Sequence, residues 1–178
     1  MNLYEYQKAI DDYTQYFELD EEFNGYCYWK RANAYSEIAK YDEAISDFTN
    51  VIKNSDNEYL ISNSYFHRGW IKEFRKDDLG ALKDYTKSIE ADSTSIFSYV
   101  MRGKTYQRLN SPIKAKEDFE KVLKYDTIAH SGSRRHYALF LLGDTVAAME
   151  WMSRIIDMDL DNDGIYYEAA CLYALMGH

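Results

Sequence analysis

The feature that most limits what this chain can fold into is that it repeats itself. Five segments, YQKAIDDYTQYFELD, YDEAISDFTNVIKNS, DLGALKDYTKSIEAD, PIKAKEDFEKVLKYD and TVAAMEWMSRIIDMD, align on Ala9, Ala44, Ala81, Ala115 and Ala148, at intervals of 35, 37, 34 and 33 residues. A bulky residue follows each alanine four positions later, as Tyr13, Phe48, Tyr85, Phe119 or Met152. A four-residue step puts both on one helix face. A period of this length means a repeated supersecondary unit that buries its core only against its neighbours.

A second kind of segment alternates with the first: YWKRANAYSEIAK, YFHRGWIKEFRK, YVMRGKTYQRLN, SRRHYALFLLGD and YYEAACLYALMG. Its central column reads Ala32, Gly69, Gly103, His136 and Ala170. Small residues there let two helix backbones approach closely, and His136 breaks the column. One proline and eight glycines in 178 residues are too little punctuation for a many-stranded β protein. The expected fold is therefore all-α, with about ten antiparallel helices in alternating A and B types.

These residues resemble the tetratricopeptide repeat (TPR) family. Its W-x2-L-G-x2-Y…A-x3-F pattern is matched by Tyr28, Arg31, Ala32, Tyr35, Ala44 and Phe48, and again by Tyr99, Arg102, Gly103, Tyr106, Ala115 and Phe119. The proline usual after helix B is replaced by residues such as Asp56, Ser93 and Thr127. The resemblance implies a right-handed superhelix, an α–α solenoid, over a single domain of residues 1–178. Its register gives a half repeat 1–20, repeats 25–58, 62–95, 96–128 and 129–162, and a half repeat 163–178. An unpaired B helix at one end and an unpaired A helix at the other suggest a piece of a longer repeat protein, or ends that cover each other in a homo-oligomer.

Local signals fit this register. Ser111-Pro112 reads as an N-cap followed by proline at the first helical position. Gly143-Asp144 and Lys40-Tyr41-Asp42 mark A-to-B turns. The 37-residue interval calls for about three extra loop residues near Asn54–Asn63. Asp12, Asp47, Asp84 and Asp118 precede the B-helix aromatics, and Arg31, Arg68, Arg102 and Arg135 precede the A-helix small residues. Both series stop where Trp151 and Ala169 take their places, so the expected pairs join successive repeats: Asp12–Arg31, Asp47–Arg68, Asp84–Arg102 and Asp118–Arg135. A pair repeated four times is architecture rather than an active site.

In the resembling family the A helices line the concave face. Carried over, that face holds Tyr26, Trp29, Asn33, Phe66, Trp70, Phe74, Phe97, Lys104, Arg108, Tyr137 and Phe140. Eight of these are aromatic, beside a basic spot at Lys104 and Arg108. The expected function is a scaffold that binds a peptide or partner protein in this aromatic-lined groove. The competing reading is that some rings pack between neighbouring A helices. Other functional alternatives are the substrate-recruiting arm of a larger enzyme and a self-assembly module joined through its end helices. Some family members grip a peptide's C-terminal carboxylate with a Lys/Asn/Lys/Arg clamp. Asn33 fits the asparagine, but Trp29 stands for its lysine, and His67 and Met101 occupy later clamp positions.

Other chemistry is poorly supported. The formal charge is −9, against general nucleic-acid binding. Residues 1–60 carry a net −8, residues 61–140 a net +5 and residues 141–178 a net −6, a scatter suited to a solvated surface. No signal sequence or membrane-length apolar run occurs, so the cytoplasm is the expected location. Cys27 and Cys171 read as reduced thiols. Asp159, Asp161, Asp163 and Gly164 resemble the start of an EF-hand loop, but Ala170 stands where its closing glutamate belongs. His67, His130, His136 and His178 lack metal-ligand spacing. No cofactor, metal or catalytic site is expected.

Overall fold

The structure, a computed structural model, describes residues 3–19, 22–127 and 134–158, together with Ala170 and Ala174. The described residues form nine α-helices and no strand. They are α1 (Leu3–Leu19), α2 (Gly25–Glu37), α3 (Tyr41–Asn54), α4 (Glu58–Phe74), α5 (Asp78–Ala91), α6 (Ile96–Arg108), α7 (Pro112–Tyr125), α8 (Arg135–Leu141) and α9 (Thr145–Met158). The chain divides into two compact units, residues 1–98 and 99–178. The half repeat 163–178 and the EF-hand-like stretch lie outside the described residues, apart from Ala170 and Ala174.

Each hairpin closes by setting a small A-helix residue against a B-helix ring. Ala32, Ala44, Phe48 and Ile71 form one fully buried cluster, flanked by Trp29, Tyr35, Tyr41 and Ile45. A Cβ added at Gly69 would lie 2.9 Å from Tyr85 Cε1, and one at Gly103 only 2.5 Å from Phe119 Cε1. Tyr85 and Phe119 are themselves sealed. The small column is thus a steric requirement. In the fifth unit His136 fills that column and is buried all the same. Burial and the neighbouring Arg134 charge push its imidazole down to about 4.

The A-to-B turns share one backbone device. Ala39, Lys76, Asn110 and Gly143 all adopt positive φ, at 59°, 66°, 54° and 89°. Each amide donates to the carbonyl three residues back, and the next amide reaches five back, as in Ala39 to Ser36 and Lys40 to Tyr35. This left-handed cap satisfies carbonyls that the ending helix leaves open. Gly143 fits the turn expected from sequence; the other three occupants are not glycines.

Helix starts are capped by side chains from outside the helix. Asn24 accepts from the Cys27 amide, Asn57 from Leu60 and Asp77 from Gly80. Ser111 departs from its expected capping role: Pro112 does open α7, but the Ser111 hydroxyl donates back to the Leu109 carbonyl. The Asp126 carboxylate accepts from the amides of Arg134 and Arg135 at the start of α8. The three extra residues of the 37-residue interval are not loop. The connection after α3 is short, and α4 runs 17 residues against 13 in α2, an added N-terminal turn that buries Leu60.

The expected ion-pair register is corrected. Arg31 pairs with Asp47, Arg68 with Asp84 and Arg102 with Asp118, each through two hydrogen bonds of 2.6–2.9 Å. Each pair therefore lies within one hairpin, sixteen residues apart, and does not join successive repeats. The preceding B helix contributes a threonine instead: Arg31 donates to Thr14 and Arg68 to Thr49. Arg135 follows the same offset, and its guanidinium sits 4.9 Å from the ring centroid of Trp151, which replaces the aspartate. Asp12 stays exposed.

Candidate functional site

In the first unit α2, α4 and the start of α6 present a row of rings. Tyr26 and Trp29 have centroids 6.1 Å apart, Trp29 meets His67 edge-on at 6.3 Å, and His67 meets Phe66 at 5.1 Å. Phe66 then meets Phe97 at 6.1 Å. The four-residue helix period places Tyr26, Trp29 and Lys30 on neighbouring positions, and the Lys30 ammonium lies over both rings. Tyr26 and Phe97 are exposed, at 53% and 41%, while Trp29 and Phe66 are half-buried. His67 is the half-buried base of the row: it stacks on Phe48, and desolvation there pushes its imidazole down to about 4. Trp70 and Phe74 form a second, exposed stack at the other end of α4, with Phe74 against Tyr41.

The remaining sequence candidates are placed as follows. Asn33 donates its side-chain amide to the Trp29 carbonyl, a bond within its own helix. In the second unit Lys104 lies over the Tyr137 ring at 5.5 Å. Arg108 is exposed and donates to Thr105. Phe140 packs with Leu139 and Trp151 against Ala148, Met152 and Ile155, so its ring serves the hairpin core. His67, sought as a clamp residue, is a half-buried ring whose desolvation disfavours the charged form. His130 lies outside the described residues.

One feature escaped the sequence reading. A cleft of about 300 Å³ opens between α1 and α2, lined by Tyr6, Ala9, Tyr13, Lys30, Asn33, Ala34 and Glu37. Tyr6 and Glu37 face each other across it; desolvation, then the Glu37 charge, raises the Tyr6 pKa. Among the described residues no group of three or more His, Cys, Asp or Glu could hold a metal ion, and no helix is long and apolar enough to cross a membrane.

Comparison with known proteins agrees with this architecture. The tetratricopeptide repeat family model matches residues 26–58 and 98–127. The Hsp70-Hsp90 organizing protein of Triticum aestivum is 25% identical over 97% of this chain and 30% of its own length. A thermophilic TPR protein of Thermus thermophilus superposes with a TM-score of 0.67 at 11% identity, covering 95% of this chain and 91% of that one. Residues 26–58 and 98–127 are tetratricopeptide repeats, and the described helices have the TPR fold. The chain spans about a third of the length of the curated relatives it matches. The TPR hairpin also recurs where the family model does not match: α4 and α5 carry the same Arg68–Asp84 pair and the same Gly69–Tyr85 contact. A further TPR structure, the first TPR of Spaghetti (RPAP3) bound to the HSP90 peptide SRMEEVD, is 22% identical with a TM-score of 0.56, covering 69% of this chain and 93% of that one.

Proposed function

We propose that this TPR chain is a protein-interaction scaffold that holds a peptide with apolar anchors on the aromatic row of its first unit. The observation that carries the reading is the exposure of Tyr26 and Phe97 at the two ends of a continuous run of rings. Exposed aromatics on a rigid helical support are what binding hot spots are made of. The names of the organizing protein and of the peptide-bound RPAP3 structure support peptide binding as the general mode. The ligand differs in chemistry from an acidic tail, because Trp29 and half-buried His67 stand where a carboxylate clamp needs cations.

The test is selection of peptides from a random phage library on the full chain, followed by affinity measurement with a Tyr26→Ala/Phe97→Ala variant. Both side chains are exposed, so the variant keeps its fold. Enriched peptides should be rich in apolar anchors and lose roughly tenfold or more in affinity. Peptides that bind the variant as well as the parent would remove the proposal.

A further inference from the structure

Tryptophan rings in this molecule are met by cations from the same chain. The Lys30 ammonium lies 5.4 Å from the Trp29 ring centroid, and Arg135 and Arg154 lie 4.9 and 5.8 Å from that of Trp151. Trp70 departs from the pattern. It is 39% exposed, and no cation among the described residues lies over its ring. The cations that flank it in sequence are committed elsewhere: Arg68 and Lys72 both bind Asp84, and Arg75 binds Asp42 and lies over Tyr41. Phe74, one helix turn on and 59% exposed, stacks on Trp70 with centroids 6.1 Å apart and planes within 21° of parallel. Nearly parallel rings turn their faces the same way. The pair is also held in place, because Phe74 leans on Tyr41 at 5.2 Å.

We propose that the Trp70–Phe74 stack is a binding site for an arginine or lysine side chain of a partner protein. The face of an aromatic ring carries the negative part of its quadrupole, and an indole attracts a cation more strongly than a phenyl or phenol ring. The cations over Trp29 and Trp151 show the same chemistry satisfied from within the chain. Charge favours a basic occupant: residues 1–98 carry 19 acidic and 11 basic side chains, so this unit draws a basic segment toward it. An anionic segment meets both that field and the negative ring faces. The site goes beyond the aromatic row proposed above. The row takes apolar anchors, whereas the stack at the other end of α4 takes a charge.

The probe is acetyl-hexaarginine amide, titrated onto the full chain at low ionic strength and followed by the indole N–H resonances of the three tryptophans. The Trp70 resonance should move saturably, while those of Trp29 and Trp151, which already hold cations, stay in place. Acetyl-hexaglutamate amide should leave all three unmoved. Trp70→Leu keeps an apolar side chain but removes the ring, and should weaken hexaarginine binding roughly threefold to tenfold. Trp70→Tyr keeps a ring face and should lose less. Trp70 is exposed, so both variants should keep the Tm of the parent. The probe carries no apolar anchor, and Tyr26→Ala/Phe97→Ala should leave the Trp70 response unchanged, so this site and the row stand or fall separately. Hexaarginine that binds Trp70→Leu as tightly as the parent overturns the site. So does Trp70→Tyr binding no better than Trp70→Leu, which would make the ring a matter of shape, or a Trp70 resonance that responds to hexaglutamate.

Discussion

Asp84 accepts from two cations at once, Arg68 at 2.8 Å and Lys72 at 2.7 Å, and is 2% exposed. The hydrogen bonds that Arg68 donates to Asp84 hold its guanidinium above its ordinary pKa, against the effect of burial. Removing the carboxylate strands a partly buried guanidinium, so Asp84→Ala should cost about 3–5 kcal/mol in urea denaturation. Asp12→Ala should stay within about 0.5 kcal/mol, since no cation among the described residues pairs with that exposed side chain. Equal costs for the two would restore the successive-repeat register. At Gly103 the decision is steric. A methyl group 2.5 Å from sealed Phe119 forces a rearrangement costing about 1–3 kcal/mol, only partly offset by the ~1 kcal/mol that alanine contributes in a helix. Gly103→Ala should therefore lower the urea midpoint, and Phe119→Leu in the same chain should recover part of the loss.

At the scale of the element, the left-handed turn residues decide how each hairpin closes. A non-glycine residue at positive φ costs about 1–2 kcal/mol relative to glycine. Lys76 is exposed and sits at φ 66°. Lys76→Gly should raise stability by about 1 kcal/mol, read as a higher urea midpoint at unchanged slope; a lower midpoint would mean that the lysine side chain has a compensating role. These turns also show where the sequence was legible. The helix types, their order and the small column came from periodicity, because burial selects residue size at every repeat. Gly143-Asp144 and Lys40-Tyr41-Asp42 announced their turns, but Lys76 and Asn110 did not, since the fold tolerates strain there without a distinctive side chain. The Arg and Asp types were legible as partners, yet not their register. Arg31 and Arg68 each sit on a helix packed between two B helices, with an aspartate sixteen residues ahead and another 19 or 21 residues behind. Only the antiparallel packing of the hairpin chooses between them, and the rejected side shows Thr14 or Thr49. Of the candidate binding residues, the exposed ring row was traceable from the A-helix column, whereas Phe140 shared that column and went to the core, because α9 offers Ala148 and Met152 beneath it.

At the scale of the whole molecule, the described residues of each unit include one imidazole that desolvation keeps neutral. His67 lies among Phe48, Phe66 and Trp29 in the first, and His136 fills the small-residue column of the second. Burial lowers both from the ordinary 6.5 to about 4. Between those values the unfolded chain binds protons that the folded chain refuses, so stability rises with pH across this window. The contribution is complete above pH 6.5 and is lost progressively as pH falls toward 4. At pH 5 the loss amounts to roughly 2 kcal/mol for each histidine, enough to matter in a fold whose total stability is about 5–15 kcal/mol. Thermal unfolding followed from pH 7 to pH 5 should show Tm falling steadily. His67→Phe, which keeps a flat ring against Phe48 but cannot take a proton, should make the fall shallower by the share of one site, with His136 supplying the rest. A Tm that holds constant from pH 7 to pH 5 would mean that both imidazoles find protons without leaving the fold, and that the ring row of the first unit rests on a charged base rather than an apolar one.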